Sequence, residues 1–412
     1  MGKAPTAIPF QQAAEAVQEY CRVLAPTHRE SVALGAAVRR VLAESIFADR
    51  DFPPFPRATR DGFALRAADL KTIPAVLRVI GQIKAGAEWK GGVGSGDAVE
   101  IMTGAAVPPG ADAVVMVEYT EQAADRVKIL RTVGVGENIV PQGSEAPAGR
   151  EILSAGTRLG FAQIAVAAAV GKARLSVYKK PRVAILATGD ELVEVARKPQ
   201  PHQIRNSNSY SLAAQVELAG AKPVRLPIAP DDKSALIRLI RKGLSADLLL
   251  LSGGVSMGQF DLVEEVLTTL GAKYFFTGVE IQPGRPVVFG QASAYRKYAP
   301  GPFFGLPGNP VSTMVTFDLF ARPVIEALSG AVPVRLPAAK ARLAKEIRTK
   351  TGLTRFLPAI LRGGLCDPEV ELAPWQGSGD ISAAARANCY AIVPPDREFI
   401  PAGEFISVLL RS

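Results

Sequence analysis

The chain of 412 residues is 48% hydrophobic and 21% charged, with a formal net charge of +9. This length exceeds one ordinary core and predicts two to four globular domains; the composition excludes a disordered chain, and no apolar run reaches the roughly 18 residues of a membrane span. Only two histidines and three scattered cysteines without a CxxC pair occur, which excludes a disulfide framework, a zinc site and histidine-based catalysis.

Any metal chemistry therefore rests on carboxylates, which suit Mg2+. The N-terminal MGKAPTAIPFQQAAEAVQEY lacks the apolar core of a signal peptide, so a cytoplasmic protein is expected. The positive charge points to an anionic partner. Lysine and arginine are spread along the chain and aromatics, at 7%, form no stacking cluster, so a phosphorylated small molecule is favoured over nucleic acid.

In chain order, Ala14, Val17, Cys21 and Leu24 recur at helical spacing over 10–24, and Val32, Leu34, Val38, Val41 and Leu42 suggest a second short helix over 32–43. DFPPFPRATRDG (51–62) carries Pro53, Pro54 and Pro56 and reads as a stiff, extended connector. From about 63 to 144 short β-like runs (AVLRVIGQI, AVEIMTG, AVVMVEY, RVKIL) are broken by glycine and predict a small β-rich module. A helix (161–169) and a strand (173–178) follow.

At 181 strands and helices begin to alternate. Strands are predicted at 182–188, 223–228, LLLL (248–251) and AKYFF, and helices at 206–220, 231–244 and 261–271. Such alternation predicts a parallel sheet with helices on both faces, in a three-layer α/β module. A helix follows Pro310 to about Leu328, and 331–412 reads as short strands of a small β-barrel or sandwich.

Ligands of open α/β sheets lie beyond the C-terminal strand ends. Here those ends carry ATGDEL with Asp190 and Glu191, then Asp231-Asp232, then SGGVSMGQFD with Ser252, Gly253, Gly254, Ser256, Gly258 and Asp261. IQPGRP (Pro283, Gly284, Arg285) and GLPGNPVS (Pro307, Gly308, Asn309, Pro310, Ser312) add two more turns. Backbone amides in glycine-rich turns hold phosphate or carboxylate groups without needing cations. The SGGVSMGQFD loop has no lysine after its glycines, which argues against a Walker-type ATP loop. Asp231, Asp232 and Asp261 each suit either a helix cap or a ligand beside a phosphate-bridging Mg2+.

These segments resemble the molybdopterin molybdenumtransferase family, meaning bacterial MoeA and the gephyrin E domain. Nine collinear stretches carry the resemblance: DFPPFPRATRDGFAL, IMTGAAVPPGADAVVMVE, GENIVPQGSE, VAILATGDEL, IRNSNSY, LSGGVSMGQFD, IQPGRPVVFG, GLPGNPVS and GSGDISAAARANCYAIV. The resemblance implies four parts: an elongated, helical N-terminal portion (1–50 with 145–180), an inserted β-rich domain (51–144), an α/β molybdopterin-binding domain (181–330) and a C-terminal β-barrel (331–412). It implies a homodimer whose cleft forms between one subunit's α/β module and the other's inserted domain.

The implied reaction inserts molybdate into adenylylated molybdopterin, releasing AMP, with Mg2+ required. Adenylyltransferase or molybdoenzyme partners are also implied, with neither a nucleic-acid nor a membrane partner. Residue by residue, Asp61 matches the family's catalytic aspartate and Thr103 a cleft-facing threonine. Asp190 and Glu191 match the TGDEL acids; Asn206, Ser207 and Ser378 fall in matching motifs. Asp231 and Asp261 are expected at the metal and phosphate, and Asp61 nearer the molybdate.

Three positions depart from the family pattern. Glu145 stands where an aspartate is usual, Gln282 replaces a lysine, and Pro358 stands in TRFLPAIL where an arginine is common, leaving Arg355 to compensate. Two other readings remain open from the sequence: a scaffold of the gephyrin E type, and a diverged nucleotide pyrophosphatase.

Overall fold

The computed structural model describes residues 7–253, 260–293, 300–332, 336–364 and 366–411, apart from the side chains at 260 and 261. The first helix, Phe10–Val23, buries Ala13 and Val17. Its Phe10 ring packs against Phe320 (6.1 Å between centroids) and Phe356 (5.0 Å), so the helix sits where the α/β core meets the last module.

The helix expected over 32–43 is absent. Arg29–Ala33 is a strand with alternating exposure, paired antiparallel with Arg174–Tyr178, and Leu34–Ala36 is a single 3-10 turn. The period of two in Arg-Glu-Ser-Val-Ala decides the conformation once a partner strand supplies the ladder. Ile46–Phe47 likewise pairs with Glu151–Leu153. Among the described residues this portion holds two helices, Phe10–Val23 and Phe161–Ala169, and otherwise strand pairs.

Residues 62–129 form a six-stranded sheet in the order Ala113–Met116, Gly62–Leu65, Asp97–Ile101, Ala75–Ile83, Arg126–Ile129, Thr120–Ala123. Gly62 pairs with Ile101 on one side and Met116 on the other. A Cβ at Gly62 would lie 1.8 Å from the Val115 carbonyl oxygen, so only glycine lets the strands close there.

The second six-stranded sheet runs Lys222–Arg225, Arg182–Ala187, Leu248–Ser252, Gly301–Leu306, Val288–Ala292, Lys273–Phe276. The first four strands are mutually parallel; the last two run antiparallel to their neighbours. The all-parallel expectation fails after residue 276 because no helix lies between Phe276 and Val288 to carry a crossover. The helical stretch after Pro310 is continuous but composite: Pro310–Thr316, a π-helical turn Phe317–Ala321, then Arg322–Leu328.

The last module closes. Thr354–Arg362 pairs with Glu369–Leu372, that strand with Ala338–Leu343, that with Phe405–Leu410, that with Cys389–Val393, and Cys389–Val393 returns to Thr354–Arg362. Closure removes the free edges of a five-stranded sheet. Outside the barrel, Ile281–Gln282 adds to Thr354–Arg362 in parallel register and joins the α/β module to it.

Candidate functional site

Register aligns the strand ends. Ala187 lies opposite Ser252, and Ser252 opposite Leu306, so the residues that follow, Thr188, Gly253 and Pro307, emerge side by side. Gly253 has φ +88°, and a Cβ there would lie 2.6 Å from the Thr188 carbonyl oxygen. The turn thus needs glycine for both conformation and space.

A cleft of about 350 Å³ opens above these ends. Of the residues expected from the sequence, Glu191, Asn206, Ser207, Ser252, Gly253, Pro307, Gly308, Asn309 and Pro310 line it, together with Thr188, Asn208 and Pro286. Gly254, Ser256 and Gly258 lie outside the described residues, as does the Asp261 side chain. A larger cavity of about 740 Å³ lies between the first helix and the 319–332 region. Its wall is largely apolar and includes Cys21, whose thiol burial pushes up to about 12, so it offers no nucleophile.

Asn208 organises the cleft. Its Nδ2 lies 2.8 Å from the Gly308 carbonyl oxygen, 3.0 Å from Ser252 Oγ and 3.3 Å from Thr313 Oγ1. A carbonyl can only accept, so the amide orientation is fixed with Oδ1 turned away. That Oδ1 is buried without a hydrogen-bond partner, and so is Thr188 Oγ1. Two orphaned polar atoms on one wall fit a polar ligand, because leaving them unpaired costs free energy. Asn206 serves the backbone instead. Its Oδ1 accepts the Ser209 N–H (3.1 Å) and starts the helix Asn208–Leu218.

The acids divide into caps and free groups. Asp232 caps the helix Lys233–Gly243 by accepting the Ala235 N–H at 2.7 Å, leaving Asp231 outside the helix. The Asp231 N–H donates to Asp190 Oδ1 (3.2 Å), and burial, then the charges of Asp190 and Glu191, raises the Asp231 carboxyl. Among the described residues no group of three or more His, Cys, Asp or Glu side chains is arranged to hold a metal ion. Crowded acids at a strand end still fit Mg2+, which needs only one or two carboxylates alongside phosphate and water oxygens.

Other expected residues lie off this wall. Ser312 is buried within its helix, with its carbonyl accepting the Thr316 hydroxyl. Pro283, Gly284 and Arg285 lead into the wall residue Pro286 without lining the cleft themselves. Ser378 belongs to a barrel loop, and its carbonyl oxygen accepts the Val311 N–H at 3.0 Å, tying that loop to the helix after Pro310.

Asp61 and Thr103 form a separate pair on the inserted sheet. The Thr103 N–H (2.6 Å) and Oγ1 hydroxyl (2.8 Å) both donate to Asp61 Oδ1, and together they hold the carboxyl below its usual range. Glu145 is exposed and paired with Arg57 at 2.8 Å. Asn208, Thr188 and Pro286 were not singled out from the sequence. Each lies inside a stretch that the sequence did mark: Thr188 in ATGDEL, Asn208 in IRNSNSY and Pro286 in IQPGRP.

Three family models match in series: MoeA N-terminal region (domain I and II) over 8–171, probable molybdopterin binding domain over 184–327, and MoeA C-terminal region (domain IV) over 340–410. The molybdopterin molybdenumtransferase of Nostoc sp. is 38% identical over 390 residues, covering 92% of this chain and 88% of the relative. That of Bacillus subtilis is 35% identical over 409 residues, covering 96% and 93%. The crystal structure of a molybdopterin biosynthesis MoeA protein from Pyrococcus horikoshii superposes with a TM-score of 0.79 at 29% identity, covering 98% of this chain and 100% of that one. From the strand pairs of the N-terminal portion to the closed barrel, the chain belongs to the MoeA family of molybdopterin molybdenumtransferases.

Proposed function

We propose that this chain is a cytoplasmic, homodimeric molybdopterin molybdenumtransferase that inserts molybdate into adenylylated molybdopterin and releases AMP. The observation that carries the reading is the 35–38% identity to transferases of that name over at least 390 residues, covering 92–96% of this chain. We keep the division into 1–50 with 145–180, 51–144, 181–330 and 331–412 as part of this proposal.

The chain's own residues support a division of labour. Asn208 Oδ1 and Thr188 Oγ1 offer hydrogen-bonding capacity to the bound pterin nucleotide, and the turn at Gly253 brings backbone close enough to approach a phosphate. Asp231, with Asp190 beside it, and Asp261 would hold Mg2+. When bound, that ion offsets charge on the phosphoanhydride as it breaks. Asp61 stays ionised through Thr103; its Oδ2 has no partner among the described residues and is free to accept a proton from water at the molybdate.

No residue of 51–144 lines the cleft. A second copy presenting its Asp61–Thr103 pair to the strand ends would complete the site. The test is incubation with adenylylated molybdopterin, Mg2+ and molybdate while AMP is monitored. Molybdate-dependent release supports the reading. Release indifferent to molybdate indicates a pyrophosphatase, and no release indicates a binding protein.

A further inference from the structure

Asp318 lies in the π-helical turn Phe317–Ala321, on the helical stretch that begins at the cleft-wall residue Pro310. Single π-helical turns inside α-helices recur at functional sites. Asp318 Oδ1 accepts from Gln215 Nε2 at 3.2 Å, and the same Nε2 donates to the Met314 carbonyl oxygen at 3.1 Å. A carbonyl can only accept, so the Gln215 amide orientation is fixed and its Oε1 is left as the acceptor. That Oε1 is buried without a partner. Across the junction, Tyr390 of the barrel strand Cys389–Val393 is fully buried, and its hydroxyl also has no partner.

Two cations act on Asp318: Arg322, itself paired with Glu326 at 3.1 Å, and Arg411. Arg411 follows the last barrel strand, donates to the Ala387 carbonyl oxygen at 2.8 Å and lies 5.6 Å from the centre of the Tyr390 ring. Burial, then the charge of Asp318, keeps the Tyr390 phenol protonated. The helix Phe10–Val23 turns Cys21 towards Glu326 and packs Tyr20 on Phe289; burial raises both pKa values, so both stay neutral, and Glu15, Glu19 and Arg22 are exposed. On Asn208–Leu218, Tyr210 lies 3.9 Å from Arg225 and Glu217 is exposed, while Pro310–Thr316 carries no titratable side chain. Burial outweighs the two arginines and raises the Asp318 carboxyl to about 6, so it holds a proton below that pH and loses it above.

A neutral carboxyl and a primary amide can close a two-bond pair, in which the amide N–H donates to the acid and the acid O–H donates back to the amide oxygen. Between Asp318 and Gln215 the first bond is present, and the return bond would satisfy the orphaned Oε1. An ionised carboxylate has no proton to return, and the unused donor nearby is the Tyr390 hydroxyl. Gln215 stands seven residues, about two helical turns, after Asn208, whose Nδ2 ties the cleft walls together. We propose that Asp318 is a positioning residue for the cleft that acts through its proton: neutral, it closes the acid–amide pair and braces the helix starting at Asn208; ionised, it loses the return bond and turns to the Tyr390 hydroxyl. The cleft is therefore better ordered with the acid neutral. This deepens the transferase reading, since it rests on the cleft being the nucleotide site, but the order of the helix is read without nucleotide.

The test follows amide hydrogen exchange over residues 206–218 of the full chain at about pH 5 and about pH 7.5, each rate divided by its intrinsic chemical rate, with AMP affinity measured by calorimetry in parallel. Protection in the unmodified chain should fall about fivefold or more between the two, the lower end of ordinary coupling between sites. Asp318→Asn keeps an N–H for Gln215 Oε1 at every pH, so its protection should not change. Titration of His28, His202 and the AMP phosphate is common to both chains and cancels in the ratio of their affinities. That ratio, unmodified over variant, should also fall about fivefold or more with rising pH. Protection that changes alike in both chains, or an affinity ratio equal at both pH values, overturns the proposal. If the unmodified chain binds no AMP at either pH, the nucleotide reading of the cleft fails, and the exchange measurement alone decides whether Asp318 braces the helix. Tyr390→Phe gives a check that does not depend on the folding of Asp318→Asn. It removes the donor that ionised Asp318 turns to, so the midpoint of the exchange change should move to higher pH, and an unmoved midpoint overturns the switch of partners.

Discussion

Asp61 accepts two hydrogen bonds on one carboxylate oxygen, both from Thr103. The backbone donor is the larger cause of its lowered pKa and the hydroxyl the second. Thr103→Val removes only the hydroxyl, so Asp61 should protonate at a higher pH and the acid limb of the pH–activity profile should move upward, with activity at pH 8 largely kept. An unmoved acid limb would show that Asp61 is not the group titrating. Asp61→Ala should abolish AMP release while thermal unfolding stays within a few degrees of the unmodified chain, because the side chain is exposed. Register shows why Asp61 is placed so tightly against Thr103. Gly62 pairs with Ile101, which brings Asp61 to the residues just beyond it.

Turns and helices set the next scale. Gly253→Ala should disrupt the cleft, since its Cβ would press on the Thr188 carbonyl oxygen in a left-handed backbone conformation. A loss of about 1–3 kcal/mol in stability is expected in chemical denaturation, together with weaker nucleotide binding.

The π-helical turn Phe317–Ala321 carries a second titrating group. Asp318 takes the Gln215 Nε2–H at 3.2 Å, and burial raises its carboxyl from 3.8 to about 6 despite Arg322 and Arg411. A folded-state pKa above the unfolded value means that the folded chain holds the proton longer. Its contribution to stability is therefore full below about pH 4 and is lost as pH rises through about 6, by up to about 3 kcal/mol. Asp318→Asn should remove that component, so the stability difference between variant and unmodified chain should grow in the variant's favour from pH 4 to pH 7. A difference independent of pH would refute the assignment.

At the scale of the molecule, the inserted sheet and the strand-end cleft are separate places in one chain. If two copies complete each other's sites, mixing inactive Asp61→Ala with inactive Asp231→Ala should restore activity. Random reassociation makes half of the dimers mixed, each with one intact site, so about a quarter of full AMP release is expected. No recovery after subunit exchange, verified by light scattering of tagged mixtures, would place the complete site within one subunit.

Local chemistry made much of this legible in advance. The 3.6-residue spacing marked Phe10–Val23 and the helices around the strand-end loops, and glycine and proline punctuation marked the loops. The apolar run LLLL marked a central strand, and nine collinear motifs marked the family. Only tertiary contacts decided the rest, because each such feature depends on a partner distant in sequence. The 29–33 segment became a strand because residues 174–178 lie beside it, and Lys273–Phe276 became the sheet edge through antiparallel pairing with Val288–Ala292. Asn208 became the cleft's organiser through three acceptors from 252 to 313, and Asp318 became a buried acid facing Gln215, 103 residues away. Periodicity and turn chemistry are written in neighbouring residues, whereas desolvation and unpaired donors exist only after the chain has closed around them.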